Sequence, residues 1–179
     1  MNALKKIVVI GPESTGKSTL CEQLARHYNT AWCPEYAREY LQIHGTKYTY
    51  EDLLTIAKGQ INLEENYSRL SSSGSRLLFV DTDLYVMKVW CEFVFGKCHS
   101  WILKQLAERK YDLYLLCYTD LPWVKDELRE YPDLKTREKL FKIYLDLMIN
   151  QTTPWAVISG NPEERLHTAI EQTNKLFAK

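Results

Sequence analysis

The feature that most constrains this chain is a glycine-rich segment near its N-terminus. Residues 11–18 read GPESTGKS, which fits the P-loop pattern G-x-x-x-x-G-K-[ST]. The apolar run Leu4–Ile10 predicts a strand before it, and Thr19–Tyr28 predicts a helix after it, which is the context that a P-loop requires. Glycines let the backbone close around an anion, and the amides at the helix start point at phosphate oxygens. The sequence therefore predicts a site for a nucleoside triphosphate.

Two side chains of this segment have expected roles in handling the phosphates. The ammonium group of Lys17 can reach the β- and γ-phosphates, and the hydroxyl group of Ser18 is placed to bind Mg²⁺. A plain glycine turn between a strand and a helix would require neither side chain. We expect the nucleotide to contact most of the segment: Gly11, Glu13, Ser14, Thr15, Gly16, Lys17, Ser18 and Thr19.

The composition argues against several classes of protein. The chain has 179 residues, of which 26% are charged, and its formal net charge is zero. The length favours one domain, residues 1–179. The zero net charge gives no reason to expect a nucleic-acid or membrane surface. The five cysteines form no C-x-x-C pair, and no signal peptide or long apolar run is present, so we expect reduced thiols in a cytoplasmic protein. The oligomeric state is left open.

Short apolar runs alternate with segments of helical periodicity along the chain. Helices are predicted between these runs and at the C-terminus, and Ser71–Ser75 is predicted to be a short loop. The alternation predicts an α/β fold, namely the three-layer sandwich of P-loop NTPases with a central parallel sheet of about five strands. Ligands then lie at the carboxyl ends of the strands. The predicted strands are Leu4–Ile10, Thr30–Cys33, Leu77–Val80, Tyr111–Cys117 and Trp155–Ile158.

Polar residues follow several of the predicted strands. Asp81 follows an apolar strand, as does a Walker-B aspartate that orders Mg²⁺. Asp83 can share that role or hold a substrate hydroxyl, and a helix cap is the alternative for either aspartate. Glu35 follows the second strand, where a carboxylate can take the proton of an attacking hydroxyl. Arg38 lies one helical turn later, where it can hold a ribose hydroxyl or form an ion pair with Glu35.

The polar segment of about residues 119–137 is predicted to be a mobile lid. It contains Lys125 and Arg129, and phosphoryl transfer needs cations on the transferring group and the exclusion of water. An ordinary ion pair between Asp126 and Arg129 is the alternative. After the last predicted strand, the segment that ends in Arg165 is predicted to pack on the adenine ring.

Four further motifs follow the P-loop in order. They read PEYAREY at residues 34–40, IAKGQ at 56–60, FVDTDL at 79–84 and PWVKDELR at 122–129. With the P-loop they cover nearly the whole chain, and together they resemble the ribosylnicotinamide kinase domain of the bacterial NadR-type proteins. The resemblance implies a kinase that uses ATP and Mg²⁺ to phosphorylate the ribose 5′-hydroxyl of nicotinamide riboside, a small-molecule nucleoside.

The same resemblance implies roles for residues at matching positions. It implies substrate ligands beside the riboside and in the lid. These are Glu35, Tyr36, Arg38, Asp83, Trp123 and Asp126. The expected catalytic residues are Lys17, Glu35, Asp81 and Arg129, and Arg129 is also expected to contact the nucleotide. Whether Glu35, Asp81 or Asp83 is the base is left open.

Three positions depart from some relatives. Pro34 stands where those relatives have Trp, and Val86 and Met87 stand where they have a pair of Thr. Trp32, Tyr36 or Trp90 can supply stacking on a pyridinium ring instead.

Two alternatives to this substrate and activity remain. A kinase of another nucleoside or nucleotide on the same fold is one of them. A GTPase-like switch is the other, but its guanine motif N-K-x-D is absent, because Asn174 and Lys175 are followed by Leu and Phe.

Overall fold

Five strands alternate with seven helices among residues 3–72 and 76–178, which are the residues that the computed structural model describes. The strands are β1 (Lys5–Ile10), β2 (Trp32–Cys33), β3 (Leu77–Asp81), β4 (Leu113–Cys117) and β5 (Trp155–Ile158). The helices are α1 (Lys17–His27), α2 (Tyr36–His44), α3 (Tyr50–Ser72), α4 (Leu84–Phe95), α5 (Ser100–Glu108), α6 (Leu134–Asn150) and α7 (Pro162–Lys175).

Each predicted strand is present, with ends that differ by a few residues. The predicted loop Ser71–Ser75 is corrected in part, because Ser71 and Ser72 complete α3. Residues 73–75 lie outside the described residues.

The strands form one parallel sheet in the order β2-β3-β1-β4-β5. In β1, Ile7 and Val9 pack on one face, while Val8 and Ile10 pack on the other, as the two-residue period of a strand requires. Strand β1 is central, so the P-loop that follows it lies between the ends of β3 and β4. All strands end at the same edge, which brings their carboxyl-end segments together.

Helices cover both faces of the sheet and complete three layers. On one face, α1 and α7 pack against each other and against the sheet through Leu20, Leu24 and Ala169. The other face is covered by α3, α4 and α6, with Phe141 and Met148 of α6 in its core. This arrangement confirms the predicted three-layer α/β sandwich. Among the described residues, no helix is both long and apolar enough to cross a membrane.

The segment between β4 and α6 has neither helix nor strand from residue 119 to residue 133. Helix α6 then begins at Leu134, because the Asp133 carboxylate caps it by accepting a hydrogen bond from the Thr136 amide at 2.7 Å. We refer to residues 119–133 as the lid segment. The predicted range 119–137 therefore also includes the first turn of α6.

Candidate functional site

The P-loop has the backbone geometry that its glycines predict. Gly11 has φ 140°, and a Cβ atom there would lie 2.6 Å from the carbonyl oxygen of Cys117, so only glycine fits without a shift. Gly16 has φ 76° and directly precedes α1. The amides at the start of α1 therefore face the loop, where they can bind an anion.

Lys17 and Ser18 are the first two residues of α1. The Lys17 ammonium donates to the carbonyl oxygen of Pro12 at 2.9 Å, which keeps it on the P-loop. The Ser18 hydroxyl donates to Asp81 Oδ2 at 2.5 Å, so the P-loop and the end of β3 meet at this bond. The two residues expected to hold Mg²⁺ are therefore adjacent in the structure.

Asp81 is buried, and one of its oxygens is unsatisfied. Its Oδ1 atom has no hydrogen-bond partner among the described residues. Burial and the negative charge of Glu35 raise the pKa of Asp81 above its ordinary value. A buried carboxylate oxygen without a partner is costly unless a cation or donor satisfies it, so Asp81 is suited to a ligand that carries positive charge.

The donor set near Asp81 fits magnesium. Ser18 and Asp81 offer one hydroxyl and one carboxylate, which are the oxygen ligands that Mg²⁺ takes beside water and phosphate. No group of three or more His, Cys, Asp or Glu residues in the described part of the chain is arranged to hold a metal ion. Such a sparse protein donor set is typical of Mg²⁺ that arrives with a nucleotide.

The backbone at Thr82 separates the two aspartates of the D-T-D motif. Thr82 has φ 66°, a left-handed conformation that is strained for a β-branched residue, and its amide donates to the Val9 carbonyl at 3.0 Å. Asp83 turns away from the P-loop and caps α4, accepting from the amide of Tyr85 at 2.9 Å and from the hydroxyl of Tyr114 at 2.7 Å. Burial raises the pKa of Asp83 to about 7. The helix cap that was the alternative for Asp83 is present, and its substrate role stays a prediction.

One cavity of about 350 Å³ extends from the P-loop along α4 and beneath the lid segment. A pocket of this size can hold a nucleoside-sized molecule. Many predicted site residues line it, namely Gly11, Glu13, Ser14, Thr15, Gly16, Lys17, Ser18, Thr19, Glu35, Arg38 and Arg129. The structure thus joins the predicted phosphate site and the predicted base in a single space.

Glu35 lines this cavity with an available carboxylate. It precedes α2 but its side chain caps no amide there, and it forms no ion pair or hydrogen bond among the described residues. The alternative ion pair between Glu35 and Arg38 is not formed. Arg38 instead donates to Asp126 of the lid segment at 2.5 Å, and this bond lowers the pKa of Asp126. The lid segment is therefore joined to α2 by charge.

The lid segment is also bonded to the P-loop. The Glu13 carboxylate accepts hydrogen bonds from the amides of Glu130 and Tyr131, at 2.9 and 3.2 Å. The Ser14 hydroxyl accepts from the Val124 amide at 3.0 Å and lies 3.4 Å from a guanidinium nitrogen of Arg129. The ordinary ion pair between Asp126 and Arg129 is absent; Arg129 donates instead to the Val124 carbonyl at 2.6 Å.

Arg137, on the first turn of α6, was not predicted from the sequence. Its buried guanidinium donates to the carbonyl oxygens of Glu13, Ser14 and Leu121, at 3.1–3.3 Å, and so ties α6 to the P-loop and the lid segment. Trp123 lies beside Arg137 and Arg129, with its ring centroid 5.7 and 5.8 Å from their guanidinium carbons. Trp123 and Asp126 do not line the main cavity: Trp123 contacts these two arginines and Asp126 pairs with Arg38, and their expected contact with substrate stays a prediction.

The end of the cavity away from the P-loop is aromatic and acidic. Of the three aromatic candidates for stacking, only Trp90 lines the cavity, together with Phe93. The Trp90 indole donates to the Tyr48 hydroxyl at 2.8 Å, and that hydroxyl donates to the Glu130 carboxylate at 2.9 Å. Glu127 is a second acidic residue of this wall. The wall suits a flat ring with positive charge.

Two further predicted ligands lie outside the cavity. The Tyr36 ring packs against Gly59, where a Cβ atom would lie 2.0 Å from it, so Tyr36 belongs to the core between α2 and α3. Arg165 is buried behind the P-loop and donates to the carbonyl oxygens of Thr15, Gly160 and Tyr118, while pairing with Asp120. In this structure Arg165 supports the P-loop, and its expected contact with adenine stays a prediction.

Comparison with known proteins identifies the family. The AAA domain family matches residues 6–165, and the chain belongs to it. Over 152 residues the chain is 28% identical to the trifunctional NAD biosynthesis/regulator protein NadR of Escherichia coli and 26% identical to that of Salmonella typhimurium. The match covers 81% of this chain and 36% of each relative, so the chain spans about a third of the curated relatives' length. The resemblance to NadR-type proteins is confirmed.

Solved structures share the fold. A crystal structure of NadR protein in complex with NR has a TM-score of 0.79 at 22% identity, covering 96% of this chain and 51% of that chain. Thymidylate kinase from Ehrlichia chaffeensis has a TM-score of 0.68 at 11% identity, covering 98% of this chain and all of that chain. These likenesses show the fold of P-loop kinases, and with the NadR relatives they support a kinase.

Proposed function

We propose that this chain is a kinase that transfers the γ-phosphoryl group of ATP to the ribose 5′-hydroxyl of nicotinamide riboside, giving nicotinamide mononucleotide. The observation that carries the proposal is the single cavity that joins the P-loop to the unpaired carboxylate of Glu35. A phosphate cradle and a free base in one enclosed space are what phosphoryl transfer to a hydroxyl needs. We also propose that residues 1–179 form one kinase domain whose lid is at about 119–137.

The phosphate end of the cavity carries positive charge. Lys17 and Arg129 line it and can compensate the charge of the transferring phosphoryl group. Ser18 and Asp81 would hold Mg²⁺, which when bound neutralises charge on the β- and γ-phosphates. The lid segment covers this end and excludes water from the reaction.

Glu35 is proposed as the base and as the residue that positions the acceptor hydroxyl. A loose phosphoryl-transfer transition state needs little proton removal before bond breaking, so placing the hydroxyl in line matters at least as much as basicity. Arg38 lines the cavity one turn further along α2, and it can contact the ribose while it pairs with Asp126.

The charges of the distal wall favour a cationic nucleoside over a nucleoside monophosphate. Glu127 and Glu130 line this wall, and Arg38, already paired with Asp126, is its cation among the described residues. A phosphate on the acceptor would face these two carboxylates beside an arginine that is already paired. A pyridinium ring would instead meet Trp90 and Phe93 with negative charge beside them. Similarity to proteins named for NAD biosynthesis supports the same substrate.

Product analysis with ATP, Mg²⁺ and nicotinamide riboside tests the proposal. We expect the 5′-phosphate as the product, and a far higher kcat/KM for nicotinamide riboside than for uridine, which has a neutral base. Equal kcat/KM values for the two nucleosides would overturn the substrate. Preference for thymidine monophosphate over both would show a nucleotide kinase.

Replacement of the proposed base is the matching test of mechanism. Glu35→Gln keeps the shape and loses the basicity, so kcat is expected to fall by roughly 10²–10⁴ with a small change in the KM for the acceptor. Glu39→Gln is the control, because Glu39 is on the same helix but does not line the cavity. A fully active Glu35→Gln variant would exclude Glu35 as the base.

A further inference from the structure

Tyr144 of α6 has a side chain whose chemistry the proposed mechanism does not yet use. It lines the cavity although only 4% of its surface is exposed. Its hydroxyl forms no hydrogen bond with the described residues. Unlike the Oδ1 atom of Asp81, however, this hydroxyl oxygen is not fully buried. The exposed part of this buried residue therefore includes the hydroxyl, and the space that the hydroxyl meets is the cavity.

The buried Tyr114 and the partly buried Tyr111 show how the fold pairs a phenol hydroxyl that has no ligand to bind. The Tyr114 hydroxyl donates to Asp83 and the Tyr111 hydroxyl donates to Glu64, each at 2.7 Å. Buried hydroxyl groups almost always find such a partner, because leaving one unpaired costs free energy. Tyr144 is the exception at the wall of a cavity, so its partner is a molecule that enters the cavity.

The charges around Tyr144 indicate whether its hydroxyl acts as a hydrogen-bond donor or acceptor. Burial and the carboxylates of Glu35, Asp83 and Glu13 raise the pKa of Tyr144 well above its ordinary value. The phenol therefore stays neutral and acts as a donor. Glu35 and Tyr144 line the same cavity, so one acceptor molecule can contact both side chains.

We propose that the Tyr144 hydroxyl donates a hydrogen bond to a ribose oxygen of the nucleoside acceptor and so positions the 5′-hydroxyl beside Glu35. This inference rests on the proposed function, because it requires a hydroxyl-bearing acceptor in the cavity. The acceptor is then held between two helices, with Glu35 at the start of α2 on one side and Tyr144 on α6 on the other. A neutral donor is well suited here, since the ribose has lone pairs to offer and nearby carboxylates repel a phenolate.

The inference makes the contact specific to the acceptor, not to the nucleotide. Loss of the hydroxyl should therefore lower kcat/KM for the acceptor by about tenfold, as expected for one hydrogen bond to a bound ligand. The KM for ATP and the rate of ATP hydrolysis without acceptor should stay at their wild-type values. A contact with the γ-phosphoryl group would instead change both of those quantities.

The test compares Tyr144→Phe with Tyr111→Phe in the full chain. Tyr111 lies at the amino-terminal end of the sheet and serves as a control in which a satisfied buried hydroxyl is removed. We expect Tyr111→Phe to lower Tm and leave the kinetic constants unchanged. Tyr144→Phe should keep the wild-type Tm and lower kcat/KM for the acceptor. A Tyr144→Phe variant with wild-type kinetics, or one whose loss accompanies a fall in Tm equal to that of Tyr111→Phe, would overturn the inference.

The choice of acceptors separates this inference from the proposed function. Both variants and the wild type are assayed with nicotinamide riboside, uridine, cytidine and thymidine, and Tyr144 is judged on the nucleoside that the wild type uses best. A wild type that prefers a neutral nucleoside overturns the proposed substrate and leaves the Tyr144 comparison intact. Loss in Tyr144→Phe confined to the KM for ATP overturns the inference and leaves the substrate intact.

Discussion

The P-loop and the lid segment line the same cavity, but different forces hold them. The P-loop is continuous with β1 before it and α1 after it, and Gly11, Arg137 and Arg165 add contacts between the loop and distant parts of the chain. The lid segment has no regular structure and is held by side chains from elsewhere, chiefly Glu13, Ser14 and Arg137. One wall of the site therefore has regular structure on both sides as well as tertiary contacts, whereas the other depends on tertiary contacts alone.

This difference assigns different kinetic duties to the two walls. A rigid cradle binds the nucleotide in the ground state and in the transition state alike, whereas a segment held by a few bonds can open to admit substrate and close for reaction. Charges on the lid should then matter more for kcat than for nucleotide affinity. The variants below test that division, beginning with the cradle.

Lys17→Ala removes the cation of the cradle and is expected to have the largest effect. Turnover should fall by about 10³-fold, because one well-placed donor or cation at a transition state has an effect of this order. The fold should survive, since within the described part of the chain Lys17 donates only to the Pro12 carbonyl. Steady-state kinetics measures the turnover, and Tm measures whether the fold is preserved. Near-wild-type turnover in a folded variant would remove Lys17 from the site.

Arg129→Ala removes the cation of the lid and is expected to lower kcat by roughly 10²-fold. The affinity for a non-hydrolysable ATP analogue, measured by calorimetry without acceptor, should stay unchanged, because the contact is made with the transferring group on closure. A loss of nucleotide affinity equal to the loss of kcat would show that the lid binds the ground state, and the contrast with the P-loop would disappear.

Arg137→Met tests the junction between the two walls. It leaves the carbonyl oxygens of Glu13, Ser14 and Leu121 without this donor and should lower the free energy of unfolding by about 1–3 kcal/mol. Denaturant titration measures the loss. Arg26→Ala is the control, because the Arg26–Glu22 ion pair is exposed and should contribute little. Equal stability of the two variants would contradict a special role for Arg137.

Asp126→Asn has the smallest expected effect, on the bond between the lid segment and α2. The Arg38–Asp126 pair is partly exposed, so its loss should change kcat/KM only about two- to fivefold, as for a pair that contributes under 1 kcal/mol. The difference should shrink at high salt, since exposed charges are screened. An effect that is equally large in low and high salt would mean that Asp126 acts on substrate directly.

The same contrast explains what the sequence predicts well and what it does not. The P-loop and the five strands follow from local pattern, and each is present, with strand ends within two residues of the predicted ones. Asp81 and Asp83 both follow the same apolar strand in the sequence. The left-handed backbone at Thr82 lies between them, and Asp81 contacts the P-loop whereas Asp83 caps α4.

The sequence did not predict the roles of residues that depend on tertiary packing. Arg137 and Tyr144 look like ordinary positions of an amphipathic helix, and their function depends on where α6 packs against the P-loop. Arg165 was expected at the adenine, but the carbonyl oxygens that surround it come from three separate segments.

The two lid amides bound by Glu13 offer a direct spectroscopic reporter of lid opening. The Glu130 and Tyr131 amides are protected by a carboxylate from the opposite wall, so they can exchange with solvent deuterium only when the walls separate. Their exchange rate thus reads the open fraction of the lid residue by residue. Any ligand that holds the lid closed slows exchange at these two positions by the factor by which it shifts that equilibrium, whether or not the ligand reacts.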